Sequence, residues 1–298
     1  MILGISVDRN HARAVLTDAP GEVIARAEAV EQEPADAIVA VAREAMASDR
    51  AQPDAIGVAF PEPDPRSWPA DLSYLSAAVG ERVPIKVLSL GNAAVLAEMW
   101  YGAGRGVRDL IALSAGLCVS AGVVSNGTVL AGAHGVASSV AWLALNPVER
   151  DDYRRLGCLE AEGGSAGIIR RLVWRIKSGD QSRVLEDAGS NFADITIDDI
   201  LAAARAGDDV SSSVIRDTVK YLAMAVSNIA VVVDPEVIVL GGLLQSARDL
   251  FFDPIRQECA RRMPPGIQER VRIGLSQLGA DAAAVGAARF ALTGTQLP

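Results

Sequence analysis

The sequence predicts an α/β protein built as two lobes with a cleft between them. Two observations carry that reading. First, the chain opens twice in the same way: ILGISV–turn–ARAVLTD–turn–EVIARA from Ile2, and DLIALS–turn–CVSAGVV–turn–TVLAGA from Asp109. Both are strand, loop, strand, tight turn, strand; the likeness lies in element order, not in residues. Second, short apolar runs rich in β-branched residues alternate with helical patterns, which is how α/β folds announce themselves. A chain of 298 residues, half of them hydrophobic and 22% charged, suits roughly two domains of about 100–200 residues each.

The elements follow in order. Ile2–Val7, Ala12–Thr17 and Val23–Val30 read as strands, with a Pro-Gly turn at positions 18–21. Pro34 opens a helix, where its missing N–H costs nothing, and Ile38, Val41, Ala42 and Ala45 share one face of it. Ala55–Phe60 is a buried strand, Pro61–Pro69 a non-helical loop, Ile85–Leu88 a strand and Asn92–Tyr101 a helix stopped by Gly102-Ala103-Gly104. In the second half, Leu110–Ser114, Cys118–Val124 and Thr128–Ala131 are strands, the last two joined by an Asn126-Gly127 type I′ signal. Helices are expected over Ser165–Ser178, Ile197–Ala206 (capped by Thr196, with Asp198 and Asp199 in its first turn) and Val210–Val233. Val237–Leu240 is a buried strand ending at Gly241-Gly242. Ser246 opens a helix to Arg262, Arg272–Leu275 is a strand and Ala282–Leu292 the final helix.

Charge and cysteine content narrow the function. The formal net charge of -9 disfavours non-specific binding to nucleic acid or anionic membrane. The longest apolar run, Tyr221–Val233, falls short of the ~20 residues a membrane span needs. Cys118, Cys158 and Cys259 are far apart and odd in number, so neither a disulfide framework nor a paired metal knuckle can be built from them. With no basic leader ahead of the first strand, the expected setting is cytoplasmic.

NAAVLAEMWYGAGRGVRDLIAL, GAHG, GCLE and DPEVIVLGG, in this order and spacing, resemble the ROK family of sugar kinases and sugar-responsive repressors. The resemblance covers essentially the whole chain. It implies a duplicated actin-like ATPase fold, with a first lobe of residues 1–112 plus 277–298, a second lobe of residues 113–276, and a sugar and ATP held between them. The opening GISVDRNHARAVLTD looks more like the repressor branch. No helix-turn-helix stretch precedes it here, so no direct contact with nucleic acid is expected.

The resemblance also says which side chains ought to do the chemistry. Phosphoryl transfer to a sugar needs a base at the hydroxyl, backbone donors around the phosphates and a magnesium ligand. The family's base is the Asp of an Asn-Asp-x-Asn motif; the matching residues are Ser89, Leu90, Gly91 and Asn92, so Leu90 stands at the base position, and Asn92 is left to contact sugar, order the loop or cap the helix. Glu62, in PEPDP beside the implied sugar site, is a substitute base if any exists there. The sugar motif Gly-Glu-x-Gly-His matches Ser138 to Trp142. Ser139 keeps a hydroxyl for a sugar, whereas Trp142 reads as a buried aromatic in preference to a sugar-stacking one. Glu160 matches the family's sugar-binding Glu. Of four implied zinc ligands only Cys158 remains, so no zinc is expected, and packing by Trp142, Tyr153 and Leu156 is the expected replacement.

The implied phosphate turns are altered too. Ser6 falls at the first turn's Asp and Asp8 at a Gly, while a slipped register makes Asp8 the Asp but shortens the hairpin; Arg9 and His11 either face a phosphate or form a solvated turn. The second turn, Gly116-Leu117-Cys118-Val119-Ser120, retains Gly116 and carries Leu117 and Cys118 across the ligand's path. Gly241 and Gly242 match the adenosine-side turn. The expectation is a non-catalytic sugar-kinase-like sensor or regulator. It is a homodimer that takes a small sugar or sugar phosphate, with ATP and magnesium as cofactors only if it is active. The alternatives are an ATP-dependent sugar or amino-sugar kinase working through Glu62 or Asp8, and a DNA-binding repressor.

Overall fold

The computed structural model describes residues 1–18, 21–47, 52–61, 72–80 and 83–294. The expected loop at Pro61–Pro69, and Glu62 with it, lies outside them beyond Pro61.

Two five-stranded mixed sheets form the two lobes. The first has the order β3-β2-β1-β4-β5, from β1 (Ile2–Asp8), β2 (His11–Thr17), β3 (Val23–Val30), β4 (Ala55–Phe60) and β5 (Ile85–Ser89). The second has the order β10-β9-β6-β7-β8, from β6 (Leu110–Ala115), β7 (Val119–Ser125), β8 (Thr128–Val129), β9 (Val237–Gly242) and β10 (Arg272–Leu275). In each, three antiparallel strands lead and parallel strands follow. The repeated order of elements thus becomes a repeated topology.

The helices are α1 (Pro34–Ala47), α2 (Ser73–Val79), α3 (Leu90–Tyr101), α4 (Asp151–Leu156), α5 (Cys158–Gly163), α6 (Ser165–Lys177) and α7 (Arg183–Asp187). They continue with α8 (Ile197–Arg205), α9 (Asp209–Val233), α10 (Leu243–Ser246), α11 (Arg248–Arg262), α12 (Pro265–Gln268) and α13 (Ala282–Thr293). Sequence patterning gave no sign of α2, α4, α5 or α7. Each has seven residues or fewer, too short for a helical period to register.

The faces of β1 show how the site is placed. Leu3, Ile5 and Val7 pack with Ile38, Val41 and Ala42 of α1 in one core. By the two-residue alternation of a strand, Ile2, Gly4 and Ser6 point the other way, where Ile2 meets Ala288 and Ala291 of α13. A Cβ on Gly4 would sit 2.0 Å from the Ala284 carbonyl oxygen, and one on Gly57 1.8 Å from that of Ala287. Glycine therefore sets how closely α13 lies on β1 and β4. α3 packs on α13 and also on β6 and β7, so the two helices lie between the sheets. Beyond the end of this buried seam the face of β1 opens at Ser6 into the cleft. The second sheet buries its other face under α9 and α11 in the larger core, which includes Leu113, Ala121, Leu222, Phe251 and Ile255.

Candidate functional site

A cavity of about 270 Å³ opens between the lobes. The first hairpin contributes Ser6, Asp8, His11 and Arg13; α3 contributes Leu90, Ala94 and Glu98; the β6–β7 turn contributes Ser114, Gly116, Leu117, Cys118 and Ser120; the end of β9 contributes Gly241 and Gly242. The structure therefore brings Leu90, Gly116, Gly241 and Gly242 to one place. Asn92 and Ser139 are not among the lining residues. Glu160 adjoins the cavity through hydrogen bonds to the hairpin and the turn.

Leu90 is the first residue of α3, not a strand-end residue. The helix starts two residues earlier than expected because the Ser89 hydroxyl accepts a hydrogen bond from the Asn92 N–H at 3.1 Å, the N-cap arrangement serine favours. Capping thus falls to Ser89 and not to Asn92, whose buried Oδ1 has no hydrogen-bond partner among the described residues. Leu90 is 7% exposed and packs with Leu88, Val95 and Val239. It presents only hydrocarbon to the cavity.

The two turns that the resemblance assigns to phosphate are tied to each other. β1 and β2 are joined by two residues, Arg9 and Asn10, with Arg9 at φ 58°. This is a tight hairpin in the left-handed region. The Asp8 carboxylate accepts from the Cys118 N–H at 3.1 Å, while its other oxygen, Oδ1, is buried and without a hydrogen-bond partner among the described residues. Arg9 donates through Nη2 to Glu160 Oε1 at 3.1 Å and through Nε to the Leu117 carbonyl at 3.3 Å. Glu160 Oε2 also accepts from the Val119 N–H. Arg9 therefore faces a carboxylate. His11 is paired with Glu28 at 2.7 Å.

Burial raises the Asp8 pKa above the usual carboxylate value, against hydrogen bonds from Cys118 and the charges of Arg9 and His11. Burial likewise raises that of Glu160, against the Val119 N–H and Arg9. Desolvation penalises the charged form in both.

Ser139 donates its hydroxyl hydrogen to the Val136 carbonyl at 2.7 Å, within its own turn. Trp142 corrects an expectation: it is 42% exposed, not buried. The packing expected of it falls to Tyr153, which is buried with Cys158 and Ala161, with Leu145 and Tyr221 against them. The segment that replaces the implied zinc loop is held mainly by polar groups. The Tyr153 hydroxyl donates to Glu162 at 2.6 Å, and Asn146 donates to Tyr153 and Tyr221. Among the described residues no group of three or more His, Cys, Asp or Glu is placed to hold a metal.

Glu98 was missed by sequence reasoning. It is 1% exposed, accepts from the Ala103 N–H at 2.8 Å and from the Ser276 hydroxyl at 2.5 Å, and so joins α3 to the loop after β10. The only sequence sign was one charge in an otherwise apolar helix.

Two lobes built on one repeated sheet topology, with turns from each meeting at a cleft, place the chain in the class of the actin-like ATPase fold. The sequence profile of the ROK family matches residues 72–293, and the chain belongs to that family. It is 30% identical over 207 residues to a glucokinase of Halalkalibacterium halodurans, covering 69% of this chain and 62% of that protein. It is 28% identical over 186 residues to the xylose repressor of Caldicellulosiruptor bescii, covering 60% of this chain and 45% of the repressor. A crystal structure of a ROK glucokinase from Streptomyces griseus, with glucose and AMPPNP, superposes with a TM-score of 0.84 at 22% identity, over 98% of this chain and 99% of that one. Among the described residues no helix is long and apolar enough to cross a membrane.

Proposed function

We propose that this ROK-family chain is a non-catalytic, sugar-kinase-like sensor or regulator that takes a small sugar or sugar phosphate between its lobes. The observation that carries the reading is Leu90, buried at the start of α3 and lining the cleft. A positioned general base contributes about 10²–10⁴-fold, and a hydrocarbon supplies none of it. The ties of Asp8 and Arg9 to Cys118, Leu117 and Glu160 add support, because the chain's own side chains occupy the turns where phosphate oxygens would be cradled. Under this proposal residues 1–112 with 277–298, and residues 113–276, are the two lobes. The protein works as a cytoplasmic homodimer without touching nucleic acid itself. Glu160, Asn92 and Ser139 are its sugar-side groups, of which Glu160 adjoins the cavity, and Gly116, Gly241 and Gly242 line any nucleotide pocket.

One observation favours a second reading. Asp8 carries a buried carboxylate oxygen with no hydrogen-bond partner among the described residues, at the cleft. That is a candidate base for an active sugar or amino-sugar kinase, as is Glu62, which lies outside the described residues.

A coupled ADP-release assay with magnesium-ATP over glucose, xylose and amino sugars separates the readings. The proposal expects no turnover above background. Turnover that disappears in Asp8→Asn or Glu62→Gln overturns it. A thermal-shift screen with the same sugars tests binding: a sugar at ~100 times its Kd adds about 2.7 kcal/mol to stability.

A further inference from the structure

A second cavity, of about 430 Å³, lies where α6 packs beside α9, and it shares no lining residue with the cleft. Its size is within the range that holds small ligands, about 300–1,000 Å³. The helical repeat builds it. Arg170, Arg171, Trp174 and Arg175 recur at spacings that put them on neighbouring rows of one helix face. Val214 and Asp217 come from α9, and Arg150 comes from the segment before α4.

Its charge runs against that of the chain. Four guanidiniums share the lining with one carboxylate, Asp217, in a protein of formal net charge -9. The guanidiniums are held in place from behind. Arg171 donates to the Glu162 carbonyl at 2.7 Å and to Thr218. Arg170 donates to the Ala161 carbonyl at 2.8 Å and pairs with Asp152. Arg175 donates to Ser213 at 2.9 Å and pairs with Asp180. Arg150 reaches Glu162 at 3.2 Å.

Each guanidinium has five N–H donors, and these contacts leave some unused. Among the described residues Arg150 Nη2, Arg171 Nη1 and Arg175 Nη2 make no hydrogen bond. Burial lowers the Arg170 pKa, and the neighbouring charges of Arg150 and Arg171 lower it further. Asp152, Asp180 and Glu162 already pair with these guanidiniums from outside the lining, so the unused N–H donors are what the cavity presents to an anion. Beside them Trp174 is 67% exposed, a large aromatic at the rim with no core to serve.

We propose that this cavity binds a small molecule in which an oxyanion, phosphate monoester or carboxylate, is carried on an apolar or aromatic body. The guanidinium forks bind the oxyanion, and Trp174, Val214 and the arginine stems cover the body. The site is independent of any activity in the cleft.

The test is isothermal titration calorimetry on the full chain with phenyl phosphate, benzoate, inorganic phosphate and neutral benzyl alcohol. At least one of the two aromatic anions binds saturably, and its identity tells phosphate from carboxylate recognition. It binds more tightly than inorganic phosphate, benzyl alcohol does not bind, and added salt weakens the complex. Trp174→Ala and Arg150→Gln each weaken it by about tenfold or more. Trp174 is exposed, so its variant keeps the test decisive even if Arg150→Gln fails to fold. No saturable binding by about 10 mM, affinity equal to that of inorganic phosphate, or affinity unchanged in Trp174→Ala overturns the proposal.

Discussion

Arg9, at the tip of the first hairpin, donates a hydrogen bond at 3.1 Å to Glu160, at the start of α5 in the other lobe. The pair joins residues 151 positions apart. It pairs the carboxylate proposed as a sugar contact with an internal cation. The Arg9 side chain is 47% exposed, that of Glu160 8%. Solvent therefore screens one end, and the pair contributes far less than a buried bridge would.

Arg9→Met removes the cation and the bond to Leu117. A loss of about 0.5–1 kcal/mol is expected, the range of a well-placed partly exposed pair, read by urea denaturation. Glu160 keeps the Val119 N–H and regains a free oxygen. Glucose or xylose binding, measured calorimetrically, is therefore expected to strengthen in the variant. Unchanged stability and unchanged affinity together would show that the contact does nothing.

Leu90→Asp restores a carboxylate but not the surroundings that would use it. Burying a carboxylate at a half-walled site costs about 1–3 kcal/mol. The N-terminus of α3 returns about 0.3–1 kcal/mol through its dipole. A net loss in thermal unfolding is expected, with no ADP release, because the contacts among Asp8, Arg9 and the β6–β7 turn persist. Turnover in this single variant would mean that Leu90 was the sole missing element.

Asp8→Asn tests the raised pKa. A carboxyl whose folded-state pKa lies above its unfolded value favours the folded state most below the unfolded pKa, and that contribution is lost as pH rises through the folded value. The asparagine variant does not titrate there. It should be the more stable protein at neutral pH, with its advantage shrinking as the solution is acidified through the carboxylate range. Parallel stability curves between pH 3 and 8, a window spanning ordinary carboxylate titration, would contradict the assignment.

Glu162 is 1% exposed and meets Tyr153, Arg150 and Arg171, with Arg170 at 3.9 Å. Glu162→Gln leaves Arg171, the most buried of these guanidiniums, without its counter-charge, at an expected cost of about 3 kcal/mol, the lower end for a broken buried pair because solvent screens Arg150 and Arg170. Tyr153→Phe loses one hydrogen bond, about 1–2 kcal/mol. Chemical denaturation of both gives the ratio; equal losses would mean that the charge is not what matters.

Gly242 and Gly116 should respond differently to alanine. Gly242 lies at φ 62°, and a Cβ there would be 2.4 Å from the Ala115 carbonyl oxygen. Gly116 has open space around it. Gly242→Ala is expected to cost more than 1 kcal/mol, and Gly116→Ala to stay within about 0.5 kcal/mol. Differential scanning calorimetry decides; equal effects would remove the steric account of the β9 turn.

The sequence by itself determined the ten strands, the longer helices and their order. Strand alternation, the Asn126-Gly127 turn, the Thr196 cap and the Gly102 stop are written within a few residues, since the forces that set them act over one turn or one pleat. The repeat of strand order followed from them, and so did the identity of Leu90 at the implied base position and of Cys158 as the one implied zinc ligand present, because a residue's type is visible without its neighbours. Tertiary structure decided what each polar group meets. Arg9 with Glu160, Asp8 with the Cys118 N–H and Glu98 with Ser276 join residues 151, 110 and 178 positions apart, and no local pattern encodes a contact made by packing two lobes. The same holds for Trp142 at the surface, Tyr153 in its place and the arginines gathered between α6 and α9. Burial is a property of the assembled fold, and the chain reveals it only where one periodic face already demands it.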